Sequence, residues 1–258
     1  TINRIEVWVT NKRGNYDQAR NIVALADLGE NDAAHILNPE WTVQGVARNP
    51  HNKANTLYET LVQQYPDVRD IQQVSSVMQN LPDMELGESY EKVESARLLN
   101  SGEYTLNAAL GYISLKTALN QDEVLAVAYE YTYAGQVYQV GEFSTDASES
   151  LKAPNALVLK LLKSTNNAPS KKGKGTWDLM MKNIYSLGAS QMSNDKFEMY
   201  IQYRNDSVGT EMQYLMEGDI KGKQLLKVMN LDRLDSRNNN SPDGRFDYVE
   251  GYTALSST

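Results

Sequence analysis

Residues 124–143, "VLAVAYEYTYAGQVYQVGEF", constrain the fold more than any other stretch of this chain. Leu125, Val127, Tyr129, Tyr131 and Tyr133 fall at every second position, with Ala126, Ala128, Glu130 and Thr132 between them. Side chains of a strand alternate between its two faces, so the run predicts a strand with unlike faces. Ala134-Gly135 interrupts the alternation and "QVYQVGEF" resumes it. A two-residue break ending in glycine marks a hairpin turn, so the segment predicts an antiparallel hairpin turning at Ala134-Gly135. Tyrosine-rich alternation is also what a membrane barrel wall shows. Helix-period segments elsewhere argue against closing such a barrel from this piece.

The clearest of those helical segments lie in the first half. Tyr58, Leu61, Val62 and Tyr65 recur at helical spacing before Pro66, and Ile71, Val74, Val77, Met78 and Leu81 repeat the pattern before Pro82. Together they predict a helical hairpin with Pro66 in its turn. "SYEKVESARLL" (89–99) is read as a third helix, and "TWDLMMKNIYSLG" (176–188) as another, capped by Thr176 and closed by Gly188. Strand patterns occupy 2–10, where Ile5, Val7 and Val9 oppose Glu6, Trp8 and Thr10, and 21–29. Gly111 permits a bend within 104–119, and 148–175 holds one apolar helix or strand followed by a polar, Pro- and Gly-containing linker. Phe197, Met199, Ile201 and Tyr203 alternate with Glu198, Tyr200, Gln202 and Arg204, another strand follows at 210–219, and a short helix falls near 223–235. The expected fold class is therefore α+β, with antiparallel, sandwich-like β-sheets and several flanking α-helices. The chain opens at Thr1 directly into a strand pattern and stops at "YTALSST", which reads as one soluble fragment of a larger protein. Two subdomains, 1–165 and 176–258, are expected on either side of a polar Lys/Gly linker at 166–175.

Charge and composition narrow the function classes. The net charge is -8, from 25 Lys and Arg against 33 Asp and Glu, which argues against a nucleic-acid partner. The basic run Lys171, Lys172 and Lys174 reads as a solvated linker. Cysteine is absent, which removes thiolate catalysis, disulfides and Cys-ligated metal sites. No stretch is apolar for long enough to predict a transmembrane helix.

Catalytic patterns are scarce. His35 and His51 lack i, i+4 company, no Gly-x-Ser-x-Gly elbow occurs, and no glycine-rich phosphate loop precedes a helix. The chain is expected not to be an enzyme. One segment stands out for ion chemistry. Within "LDRLDSRNNNSPDGRFDYVEG" (231–251), Asp232, Asp235, Asn238, Asn240, Asp243 and Asp247 offer the oxygen ligands that calcium prefers. The EF-hand spacing is not met, and Pro242-Asp243-Gly244 equally suits a sharp turn whose Asp and Asn side chains bond their own backbone. The turn is the favoured reading and calcium the alternative; no other cofactor is implied. Trp8, Trp41 and tyrosines are expected to be exposed and to suit a binding surface, although sixteen tyrosines in a β-rich chain equally serve core and cross-strand packing.

Several strings together carry a family resemblance. "LNAALGYISLKTALNQDEVLAVAYEYTYAGQVYQVGEFS", "WDLMMKNIYSLGA", "FEMYIQYRND" and "LLKVMNLDRLDSRNNNSPDGRFDYVEGYT", preceded by "INRIEVWVTNK" and "RNIVALADLGE", resemble the SprA/Sov family. These are very large outer-membrane proteins of Bacteroidetes, tied to gliding motility and type IX secretion. The resemblance implies a translocon, a large β-barrel through which folded cargo leaves the periplasm. This chain would be a soluble, non-barrel portion of it at the cell surface or periplasmic face, with a structural, gating or partner-docking role. Its implied partners are the rest of the parent chain, other secretion-system components or cargo protein. The resemblance brings no catalytic residues and no metal ligands. The alternative is a cell-surface binding module for glycan or protein partners.

Overall fold

A computed structural model describes the chain except for residues 15, 29–48, 147, 167, 169–175, 182–183, 185–186, 188–191, 208, 251–252 and 255–258. Two compact units divide it, Thr1–Asn183 and Ile184–Thr258. In the first, eight strands follow in order: β1 (Ile2–Val9), β2 (Arg20–Leu25), β3 (Tyr90–Leu98), β4 (Tyr104–Asn107), β5 (Tyr112–Leu115), β6 (Leu125–Tyr133), β7 (Gln136–Val140) and β8 (Leu157–Lys163). Five of them close into a barrel in the order β1-β3-β2-β8-β6, with β6 returning to pair β1. A ring with an odd number of strands cannot be antiparallel throughout, so one neighbour pair must run parallel. That pair is β2–β8, and every other pairing in the ring is antiparallel.

Five strands leave a narrow interior, and its side chains are sized to fill it. Trp8, Ile22, Val93, Phe143, Leu157, Leu159 and Leu161 share this space with Ala24, Ala26, Ala96, Ala126 and Ala128. Ala126 lies directly across from Trp8 in the β1–β6 ladder, which leaves room for the indole. Gly141 has no alternative at its position: its φ is +77°, and a Cβ there would stand 3.0 Å from the Val127 carbonyl oxygen and the Ala128 Cα.

The outside of the barrel is also covered. The outward residues Val23, Leu25 and Val158 pack against α1 (Leu57–Gln64) and α2 (Val74–Gln79) through Leu57, Leu61, Val74, Val77 and Met78. On the other side Val7, Val9, Leu125 and Val127 are covered by Tyr104, Ile113 and Leu115 of the β4–β5 hairpin. β6 outlasts the barrel wall: its first half pairs β8 and its second half pairs β7 along the same edge. The turn between β6 and β7 falls at Ala134 (φ +49°) and Gly135 (φ +78°), both left-handed as a type I′ turn requires.

The second unit is built differently. β9 (Tyr203–Arg204) pairs β10 (Glu211–Met212), a bridge joins Tyr214 to Gln224, and α3 (Leu225–Val228) follows. Phe197 packs on Phe246 and Tyr248 at ring-centre distances of 5.7 and 5.0 Å. Among the described residues of this unit, Leu226 is the one fully buried apolar side chain.

The expected α+β sandwich with flanking helices is thus corrected. The protein is mostly β around a closed five-stranded barrel, with three short α-helices among the described residues. Residues 89–99 are β3 and not a helix. Their ambiguity has a physical origin. The β2–β3 register slips by one residue, from Ile22 opposite Val93 to Arg20 opposite Ala96, with Ser95 at φ +51°. This bulge puts Val93 and Ala96 on one face at a spacing of three, which imitates a helix. Within 104–119, residues 104–115 are a hairpin, with Gly111 (φ +73°) between its strands. The helix expected over 176–188 is a 3-10 turn at Thr176–Leu179, with Met180 and Met181 already outside it. Gly188 and most of the 166–175 linker lie outside the described residues.

Candidate functional site

The acidic loop folds into two linked turns. Asp232, 2 % exposed, reaches forward: its Oδ1 accepts the Asp243 N–H and its Oδ2 the Gly244 N–H, both at 3.0 Å. Asp247 reaches back, its Oδ2 accepting the Arg233 N–H at 2.7 Å and the Leu234 N–H at 3.1 Å. The Asp247 N–H donates to the Leu231 carbonyl at 2.9 Å. Each carboxylate therefore holds the backbone beside the other and closes the loop at its base. Asp235 organises the tip, accepting N–H bonds from Arg237 (2.8 Å) and Asn239 (2.9 Å) as well as from the Asn239 amide (3.0 Å). These bonds, the Asn239 side chain first, hold the Asp235 carboxyl below its ordinary value. Asn238 takes a left-handed φ of +61° and Gly244 one of +86°.

Of the six candidate ligands, Asp232, Asp243 and Asp247 are brought close through backbone contacts. Asp235 and Asn238 belong to the separate tip, and Asn240 is exposed there. The carboxylates face amides and do not converge on a common point. Among the described residues no group of three or more His, Asp or Glu is arranged to hold a metal ion.

Among the described residues, a buried polar cluster in the first unit has no signature in the sequence. Glu142, 2 % exposed, accepts four hydrogen bonds: two from the Arg69 guanidinium, one from Tyr58 Oη (2.6 Å) and one from the Val158 N–H (2.7 Å). Arg69 also donates to the Ala156 carbonyl at 3.0 Å, while its own carbonyl accepts the Ala156 N–H at 2.8 Å. Burial and then Glu142 push the Tyr58 hydroxyl well up. Burial lowers Arg69, but its bonds to Glu142 raise it on balance. The cluster ties the helical layer to the barrel. Its partners lie 73 and 84 residues from Glu142, so no local pattern announces them.

A shallow cleft of about 210 Å³ opens between the end of β1 and the β4–β5 hairpin, over Val9, Leu99, Leu115 and Leu119. Its charges already have partners: Lys12 pairs with Asp122 and Glu123 accepts the Asn120 N–H. Arg97 donates twice to Glu103, at 2.9 and 2.8 Å, and Arg13 approaches the same carboxylate at 3.4 Å. Arg97 holds the Glu103 carboxyl below its ordinary value.

The aromatic residues divide. Trp8, expected at the surface, is fully buried in the barrel, because the narrow interior needs one large side chain opposite its alanines. Trp41 and His35 lie outside the described residues. His51 is half-buried, stacking on Tyr138 at 5.5 Å while its Nδ1 accepts the Lys53 N–H at 2.8 Å. Burial and the Lys53 charge lower its pKa. Tyr133 and Val137 are exposed at the hairpin tip. No helix among the described residues is long and apolar enough to cross a membrane. Compared with known protein families and with curated proteins, the chain matches none.

Proposed function

We propose that this chain is a non-enzymatic, partner-docking portion of an outer-membrane type IX secretion translocon, serving protein secretion and gliding motility at the cell surface or periplasmic face. The observation that carries this reading is the resemblance of its long strings, among them "WDLMMKN" and "LDRLDSRNNNSPDGRFDYVEGYT", to the SprA/Sov family. The geometry is compatible with docking. The acidic loop and the Glu142 cluster spend their polar atoms on holding backbone and layers together. Contact surface is available in exposed Tyr200, Tyr203, Tyr214, Met216 and Met229 of the second unit. The test is genetic. Residues 184–250 would be removed from the chromosomal copy in a bacterium that carries the chain, with the level of the remaining protein checked by immunoblot. Secreted cargo is expected to accumulate in the periplasm and gliding to stop. Unchanged secretion at an unchanged protein level refutes the proposal.

A further inference from the structure

Residues 197–204 carry an unspent strand. The sequence alternates Phe197, Met199, Ile201 and Tyr203 with Glu198, Tyr200, Gln202 and Arg204, the pattern of an eight-residue strand. Yet only Tyr203 and Arg204 are laddered, to Met212 and Glu211. Among the described residues, Glu198 to Gln202 make no main-chain hydrogen bond. Tyr200 and Tyr203 are 49 % and 43 % exposed. A segment with a strand's alternation and no ladder partner is completed by another extended chain and by little else.

The direction of the free edge follows from the ladder. The Asn205 N–H donates to the Thr210 carbonyl at 3.1 Å, toward the β10 side. Main-chain groups alternate along a strand, so Tyr203 and Ile201 point the same way as Asn205. Continued back from β9 at the strand period, the alternation turns the groups of Glu198, Tyr200, Gln202 and Arg204 outward.

We propose that this edge pairs with the same edge of a second copy of the chain, antiparallel about a two-fold axis at Ile201. In that register Ile201 faces Ile201, Met199 faces Tyr203, Tyr200 faces Gln202 and Glu198 faces Arg204 on both sides of the axis. The outward-pointing residues 198, 200, 202 and 204 are the ones this register hydrogen-bonds. The charges select it. A slip of two residues one way opposes Lys196 to Arg204, and the other way Glu198 to Asp206. A slip of one sets the apolar face against the polar one. The contact is isologous and closes at two copies.

Sedimentation of the purified 1–258 chain over a concentration series reads the association. A concentration-dependent dimer is expected. Glu198→Arg and Arg204→Glu should each weaken it about tenfold, because each alters two symmetry-related pairs, and the double exchange should restore it. Gln202→Pro, which removes an outward N–H, should abolish it, with circular dichroism checking that the fold is kept. A chain that stays monomeric up to its solubility limit overturns the proposal. So does a dimer indifferent to Gln202→Pro, or single exchanges that weaken it without rescue by the double.

Discussion

Glu142 shows how much one side chain can hold. Replacing it by Ala would leave the largely buried Arg69 guanidinium without its carboxylate and the Val158 N–H without an acceptor. A broken buried ion pair costs about 3–5 kcal/mol, so Glu142→Ala should lower the melting temperature of the first unit sharply. The paired replacement Arg69→Met with Glu142→Leu should cost much less, because no charge is stranded. Glu103 gives a pH signature. Its folded pKa lies below the ordinary value, so its stabilisation is present above the unfolded pKa of about 4.3 and is lost as pH falls through the folded value. Glu103→Gln should therefore lower the melting temperature at pH 7, with the difference closing in acid; a gap that persists at low pH would refute the assignment. In the acidic loop, Gly244→Val should cost on the order of 1–2 kcal/mol through its φ of +86°. Chelation should leave the melt unchanged, since Asp232 and Asp247 already hold backbone N–H groups; a melt that falls with chelator and recovers with calcium alone would restore the cation reading. The turns at Asp235 and Asp243 were legible in the sequence because these side chains bond backbone two to four residues on, whereas the Asp232 and Asp247 clamps span 11 to 14 residues and were not. Glu142 was not, because its chemistry depends on residues brought together by the fold.

At the scale of elements, local chemistry was readable wherever the period stayed regular. The β6–β7 hairpin follows its alternation and turns at Ala134-Gly135. Alanine is a poor choice for a left-handed turn position, where asparagine is accommodated. Ala134→Asn should therefore stabilise the chain by about 0.5–1 kcal/mol, measured by denaturant unfolding; a loss of stability would show that the turn is not governed by this dihedral. The two helical segments were readable too, because Pro66 separates two runs at helical spacing and opens the 3-10 turn Pro66–Arg69 between the short helices α1 and α2. The failures are equally local. β3 read as a helix because its bulge resets the count. Trp8 read as exposed because β1 is buried on both faces, one inside the barrel and one under β4–β5, and alternation alone does not say which faces are covered.

For the whole molecule, barrel closure was beyond local patterns. It depends on β2 meeting β8 in parallel across more than half the chain, a pairing that leaves no mark on either strand's sequence. The two units also differ in what supports them. The first fills its barrel with one apolar cluster and covers it with two more, while among the described residues of the second only Leu226 is a fully buried apolar side chain. Each buried Leu or Ile contributes about 1.5–3 kcal/mol, and a chain this short on buried apolar area does not offset its conformational entropy by hydrophobic burial. What order the second unit has rests on turns, the Asp232 and Asp247 clamps and the Phe197–Tyr248 contact. Residues 184–258 should therefore open well before the barrel. Hydrogen exchange of the isolated chain should show weak protection across 193–250 and strong protection in β2, β6 and β8. A mild protease should cut the second unit first and leave a resistant core ending near Asn183. Equal protection in both units would mean that the second is supported by burial this structure does not contain.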